Sequence, residues 1–286
     1  VFQVALVTLK ELLRDAERNR YAVGMFNTLN LEMVKGVIRA AEELRSPVII
    51  AVAEVHAPFN PLSLIGPVMV RAAKEARVPV AVHLDHGLTE GAIREALSLG
   101  FTSVMYDGST SAYEDNIRST RQVVEWAGAS GASVEAELGH VGGGEAGTEE
   151  EEHAEAFYTD VEQAGDFVSR TGCDALAVAI GTVHGVYRSQ PRLDIKRLQD
   201  IRERAQLPIV LHGGSGLSEA DFRACITNGV GKINICTDMF IGMMSRIKAV
   251  ADTGSINYTE VITATEAAVA EVVKGKMQLF GSQNRA

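Results

Sequence analysis

The chain has 286 residues, 46% of them hydrophobic and 22% charged, the balance of a globular protein with a sizeable core rather than a disordered one. Its formal net charge of −10 at pH 7 argues against nucleic acid or an anionic membrane surface as the main partner, although a phosphate site needs only local donors. No apolar run is long enough to cross a bilayer, and the three cysteines, Cys173, Cys225 and Cys236, lack paired spacing, which fits a reducing cytoplasm best.

The opening segment, through LKELLRDAE, reads as an amphipathic helix, and nothing in it marks the chain for export. After it, short runs rich in Val, Ile and Ala alternate with longer amphipathic stretches, the rhythm of parallel strands joined by crossover helices. The strand candidates are YAVGMF (21–26), PVIIAVA (47–53), PVAVHLD (79–85), SVMYDG (103–108), SVEAELG (133–139), ALAVAIG (175–181), PIVLHG (208–213) and KINICT (232–237). Between them, LEMVKGVIRAAEEL, TEGAIREALSLG and SEADFRACITNG read as helices, the last two opening on Thr89 and Ser218 and ending near Gly100 and Gly229, which are sensible cap residues. Eight strand–helix units with no glycine fingerprint after the first strand favour a closed (β/α)8 TIM barrel over a doubly wound open sheet. The expectation is one domain spanning residues 1–286, interrupted by a mobile glycine-rich and acidic loop at about 140–158. The run Glu149 to Glu152 within it reads as a solvated loop surface.

In such a barrel the active site lies at the carboxyl ends of the strands. Apolar strand bodies here finish on polar residues: Asp85 and His86 after strand three, Asp107 after four, Glu135 and Glu137 on five, His184 after six, His212 on seven, Asn234 and Thr237 on eight. Neutral imidazole is a preferred zinc ligand, and three protein ligands with an open position define a catalytic metal, so His86, His184 and His212 are read as one ligand set. His56, His83, His140 and His153 are read as hydrogen-bonded structural residues, His83 supporting the site from one layer deeper. The LHGGSG turn and the adjacent Asn234 and Thr237 match the phosphate position expected after strands seven and eight, with Arg188 able to add positive charge.

The motifs HLDHG, SVEAELGHVGG, AVAIGTVHGVY, LPIVLHGGSG and KINICTD resemble those of class II metal-dependent ketose-bisphosphate aldolases, especially the tagatose-bisphosphate and fructose-bisphosphate branch. The likeness runs from AVGMFN to GSQNR and covers nearly the whole chain. The resemblance implies that His86, His184 and His212 hold one catalytic Zn2+ per subunit, and that Asp85 is the acid/base serving the carbonyl oxygen of the aldehyde half. It makes Glu145 the loop carboxylate that moves a proton at the nucleophilic carbon, and gives Asp107 and Glu137 a supporting role or a second cation, with a monovalent cation left open. It places Asn27, Gly185, Arg188, Gly213, Gly214, Ser215, Asn234 and Thr237 around the phosphorylated substrate. A small-molecule sugar phosphate as substrate and a homodimer or homotetramer follow from the same resemblance.

Departures bear on substrate choice. Cys236 stands where bisphosphate-cleaving relatives carry an acidic residue, and Phe240 where they carry an arginine; Arg285 near the carboxyl terminus is expected to reach a distal phosphate instead. Two readings of the aldehyde therefore stand side by side, one with and one without a distal phosphate. A Schiff-base mechanism would need a lysine on a barrel strand, for which Lys232 is the candidate, and it is disfavoured beside a metal set. A non-catalytic sugar-phosphate-binding subunit would be expected to lack a ligand or the acid/base, and this chain has them all.

Overall fold

Alternating strand residues divide the apolar side chains into two populations, and that division builds the molecule. The computed structural model describes residues 5–143, 157–187 and 189–286. Eight strands, β1 (Val23–Asn27), β2 (Val48–Ala53), β3 (Val80–Gly87), β4 (Ser103–Tyr106), β5 (Ser133–Leu138), β6 (Ala175–Val178), β7 (Ile209–Leu211) and β8 (Val230–Ile235), run in sequence order around a closed barrel. Every neighbouring pair is parallel, including β1 with β8. This is the single (β/α)8 barrel expected from the sequence, with each strand candidate in place. β4, β6 and β7 stop two to three residues short of their expected ends, so Asp107, His184 and His212 sit on the loops that leave the strands.

One set of alternating residues, among them Phe26, Ile50, Val82, Val104 and Val134, packs outward under the helices, while Met25, Ile49, Ala51, Ala81, Met105 and Val210 point into the barrel. A parallel sheet covered by helices is buried on both faces, hence the continuous apolar runs. The floor of the barrel is plugged by α1 (Leu9–Asn19), whose Leu9, Leu12, Leu13 and Ala16 are fully buried with the inward residues. A capping box between Thr8 and Glu11 starts that helix, satisfying amides that would otherwise be orphaned. The amphipathic reading of the opening segment thus holds from Leu9 onward; before it, Leu6 forms a parallel bridge with Val80.

The outer ring consists of α2 (Leu31–Leu44), α3 (Leu62–Glu75), α4 (Glu90–Ser98), α5 (Tyr113–Ser130), α6 (Val161–Thr171), α7 (Ile195–Ala205), α8 (Glu219–Thr227) and, after β8, a hairpin of α9 (Thr237–Asp252) and α10 (Tyr258–Leu279). Thr89 and Ser218 cap α4 and α8 as expected, and Gly100 and Gly229 adopt the positive φ that follows a helix end. Apolar positions on α10, including Val269, Val273 and Met277, are buried against α2, so this carboxyl-terminal stretch packs on its own barrel.

Candidate active site and metal centre

The upper half of the barrel interior is polar. His83, Glu135 and Lys232 are fully buried in one layer, and Asn27, Asp85, Glu137, His212 and Asn234 lie above it. Registry puts Ser103 beside His83, and the two meet at 2.7 Å through His83 Nδ1, which places His83 one layer below the histidine cluster. Burial and the charge of Lys232 hold its pKa well below the usual histidine value.

His86, His184 and His212 converge: their ligating nitrogens all lie within 4.8 Å of one another. His86 is delivered by a register shift between β3 and β4 over Leu84 to Gly87, and it takes a left-handed φ of 40°. Such a conformation is disfavoured for a residue with a Cβ and persists where surrounding structure imposes it, commonly at functional sites. His184 is tied to the loop above β5 through its N–H, which donates to the Gly142 carbonyl at 2.8 Å.

Whether these residues fit a metal can be judged from the nitrogens that face away from the cluster. His86 Nδ1 lies 2.8 Å from Asp107 Oδ2, and His212 Nε2 lies 2.9 Å from Glu135 Oε1. A ring nitrogen that donates to a carboxylate leaves the other as a bare lone pair. The two remaining nitrogens, His86 Nε2 and His212 Nδ1, face each other at 2.8 Å. Two lone pairs at that separation repel unless a positive charge lies beside both, so the donor set fits a cation, and its three-nitrogen composition suits a zinc-like one. The carboxylate-anchored imidazole is also the usual arrangement behind a metal-binding histidine. His86, Asp107 and Glu137 form a second group with ligating atoms within 4.8 Å. Burial and the nearby Asp107 charge push the Glu137 carboxyl well above its usual range, whereas the bonds from His86 and Ser109 outweigh burial and hold Asp107 below its own.

Asp85 is almost completely buried and accepts from Asn27 Nδ2 at 2.9 Å and Asn234 Nδ2 at 3.2 Å. Burial alone would raise its pKa, but the basic groups around it, His86, His212 and Lys232, and the Asn27 bond hold it below the ordinary aspartate value. The carboxylate therefore stays ionised in the pocket wall. Asn27 Oδ1 and Asn234 Oδ1 have no hydrogen-bond partner among the described residues, which leaves two acceptors in that wall for ligand hydroxyls.

The pocket at this end of the barrel opens to solvent and is lined by Asn27, Asp85, His184, Gly185, Ser215, Asn234, Cys236 and Thr237, together with Gly213 and Gly214. Gly213 has a φ of 66° and a Cβ there would collide with the Val183 carbonyl, so only glycine allows this turn. The Gly214 N–H is committed to the Asn234 carbonyl at 3.2 Å, so Gly214 shapes the turn rather than offering a free donor. Ser215 Oγ accepts from the amides of Cys236 at 3.3 Å and Asp238 at 3.2 Å, which leaves its hydroxyl proton for an anion at the amino end of α9. Tyr187 locks the turn from the next loop: its hydroxyl donates to the Gly213 carbonyl at 2.8 Å and accepts from Val183 N–H at 3.1 Å. Sequence reading missed Tyr187, whose spacing from the histidines carries no periodic signal.

Several expectations meet a different outcome. Arg285 is at the opposite mouth of the barrel: its guanidinium lies 5.6 Å from the Tyr21 ring below β1. The adjacent tail is fixed to the end of α2 by Asn284 N–H to the Leu44 carbonyl and Ala286 N–H to the Arg45 carbonyl, each 2.9 Å. Because α10 descends to that face, Arg285 does not reach the pocket of its own chain. Lys232 Nζ is 2.6 Å from Glu135 Oε2 and wholly buried, beneath the pocket rather than open to a carbonyl substrate. Glu145, Arg188, His153, the Glu149 to Glu152 run and most of the loop at 140–158 lie outside the described residues. His140 meets Ser109 Oγ at 2.9 Å, a structural role. Burial pushes the Cys173 and Cys225 thiols up to about 12, and both are free, consistent with packing rather than redox roles.

The family profile of fructose-bisphosphate aldolase class-II matches residues 7–285. The fructose-bisphosphate aldolase of Staphylococcus aureus strain Mu50 is 39% identical over 98% of this chain and 99% of its own length. A probable fructose-bisphosphate aldolase of Bacillus subtilis strain 168 is 41% identical with the same 98% and 99% coverage. The crystal structure of the YdjI aldolase from Escherichia coli K12 superposes with a TM-score of 0.88 at 38% identity, covering 98% of this chain and 99% of that one. With the profile matched over residues 7–285 and the barrel and histidine cluster in place, the chain belongs to the class II fructose-bisphosphate aldolase family.

Proposed function

We propose that the chain is a zinc-dependent aldolase that reversibly cleaves a ketose 1-phosphate or 1,6-bisphosphate, of tagatose or fructose type, into dihydroxyacetone phosphate and an aldehyde. The observation that carries this reading is the pair of carboxylate-anchored imidazoles, His86 and His212, facing each other within reach of His184 and beside an ionised Asp85. A metal held by His86, His184 and His212 would supply Lewis-acid stabilisation of the enediolate left when the carbon–carbon bond breaks.

The chain's own groups do the rest. Asp85, held ionised and oriented by Asn27 and Asn234, takes the C4 hydroxyl proton during cleavage and returns it to the aldehyde oxygen in condensation. Ser215, the Gly213 turn and the amino end of α9 at Thr237 hold the phosphate of the dihydroxyacetone phosphate half, with Arg188 adding charge. The free oxygens of Asn27 and Asn234 accept from substrate hydroxyls. Glu145 returns a proton to the nucleophilic carbon. Asp107 and Glu137 brace His86 and offer a place for a second cation. The enzyme works in the cytoplasm as a homodimer or homotetramer, which cell fractionation and light scattering would test.

A narrower reading, in which the aldehyde carries no phosphate, is favoured by Phe240. Its ring packs against the hydrophobic core, edge-on to the buried His56 with centroids 6.5 Å apart, so the position that carries an arginine in bisphosphate-cleaving relatives supplies no positive charge for a distal phosphate. Steady-state comparison of phosphorylated and unphosphorylated aldehydes decides between the two. A strong preference for glyceraldehyde 3-phosphate removes the narrower reading.

Metal-dependent cleavage of a panel of ketose 1,6-bisphosphates, read by dihydroxyacetone phosphate release, tests the whole proposal. Activity should vanish on chelation and return with Zn2+. Absence of cleavage and of condensation with every aldehyde, by protein shown to bind zinc, would overturn it.

A further inference from the structure

Below the histidine cluster lies a charged group that the reaction does not touch. Lys232 and Glu135 are each fully buried in the barrel axis, 2.6 Å apart, on β8 and β5. Those strands are not neighbours in the sheet, so the pair spans the interior rather than lining one wall. The two oxygens of Glu135 are divided: Oε2 meets Lys232 Nζ, and Oε1 meets His212 Nε2 at 2.9 Å. Lys232 Nζ also lies 3.4 Å from His83 Nε2, whose Nδ1 meets Ser103. A fully buried ion pair usually contributes less than an apolar replacement would, so its presence calls for a reason other than stability.

We propose that Lys232 is a positioning residue for the metal ligand His212, acting through Glu135. Lys232 fixes the carboxylate rotamer so that one oxygen accepts the Nε2 proton of His212. That bond sets the imidazole plane and leaves Nδ1 aimed at His86 Nε2, 2.8 Å away. On this view β8 contributes to the centre twice, through Asn234 to Asp85 and, one layer deeper, through Lys232 to His212. Removing the ammonium alone would leave Glu135 buried without its counter-charge and free to turn from His212. Replacing the carboxylate by a neutral amide at the same time removes the need for a counter-charge while keeping an oxygen for Nε2–H to bond.

The inference rests on the zinc reading of the three histidines, and the test separates the two. Zinc dissociation constants are measured by chelator competition for full-length wild type, Lys232→Met, the double variant Lys232→Met with Glu135→Gln, and His212→Ala, alongside thermal melts of the metal-free and loaded forms. Wild type should bind zinc and His212→Ala should bind it far more weakly; if wild type does not bind, the metal reading itself fails. Given that binding, Lys232→Met should weaken zinc affinity about 10- to 100-fold, the range for lost support behind a ligand, and the double variant should recover to within a few-fold of wild type. A purely structural pair would lower the metal-free melting temperature and leave the dissociation constant unchanged. Wild-type zinc affinity in Lys232→Met, or a double variant as impaired as the single one, would overturn the proposal. If Lys232→Met does not fold, Lys232→Gln takes its place: a 10-fold or greater loss of zinc affinity sustains the proposal and wild-type affinity refutes it.

Discussion

Replacing Asp85 by alanine should separate the two halves of the reaction. The carboxylate is buried and is the acceptor for two amides, Asn27 Nδ2 at 2.9 Å and Asn234 Nδ2 at 3.2 Å, and it supplies no nitrogen or oxygen to the three-histidine cluster. Its loss therefore removes the base for the C4 hydroxyl without removing a metal ligand. A positioned acid/base contributes about 10²- to 10⁴-fold, equivalent to roughly 2.7–5.4 kcal/mol of barrier, and kcat for cleavage should fall by that factor. Folding should suffer less, because the two stranded amides face a pocket that water can enter, at a cost of about 1–3 kcal/mol. Enolisation of dihydroxyacetone phosphate does not involve the C4 oxygen, so exchange of its C3 proton with deuterated solvent, followed by NMR, should survive. The assay pairs that exchange with coupled cleavage on zinc-loaded protein. Cleavage within 10-fold of wild type, or exchange lost in parallel with cleavage while zinc stays bound, would refute the role given to Asp85.

Chelation should lower the melting temperature as well as activity, since free ion at 100 times its dissociation constant stabilises the native state by about 2.7 kcal/mol; identical melts with and without zinc would contradict the metal centre. Stability should also fall with acid. Burial, aided by Lys232, keeps His83 neutral in the fold, so its contribution is fully present above the unfolded pKa near 6.5 and declines as pH drops below it, by up to about 1.4 kcal/mol per pH unit. Urea midpoints measured between pH 7.5 and 5 should show this slope, reduced in His83→Gln, and an unchanged slope in that variant would refute a neutral His83. Gly213→Ala forces a Cβ into the Val183 carbonyl at a φ of 66°; the distorted turn should raise KM for the phosphorylated ketose, and an unaltered KM would show that the turn does not bind it. Leu12→Ala should cost about 2–5 kcal/mol by opening a cavity in the barrel floor, read as a lower denaturant midpoint with unchanged kcat in the surviving native protein.

Much of this protein is written locally. Continuous apolar runs such as VIIAVA and ALAV mark strands buried on both faces, and the caps at Thr89 and Ser218 mark helix starts, because each depends on residues a few positions apart. Polar residues at strand ends were legible for the same reason: once eight parallel strands are counted, their carboxyl ends must share one face, and His86, His184 and His212 follow. The sequence could not say which nitrogen of each ring faces the centre. That depends on Asp107 and Glu135, residues from other strands. Nor could it find Tyr187 as the lock on the Gly213 turn, or Lys232 as the partner of a carboxylate on a strand across the barrel. Arg285 shows the limit most plainly: its charge suits a phosphate, but the direction in which α10 runs carries it to the wrong mouth of the barrel. Side-chain chemistry and local periodicity are properties of the chain, whereas the facing of an imidazole and the end of the barrel a tail reaches arise from contacts between segments distant in sequence, which exist only after the strands close.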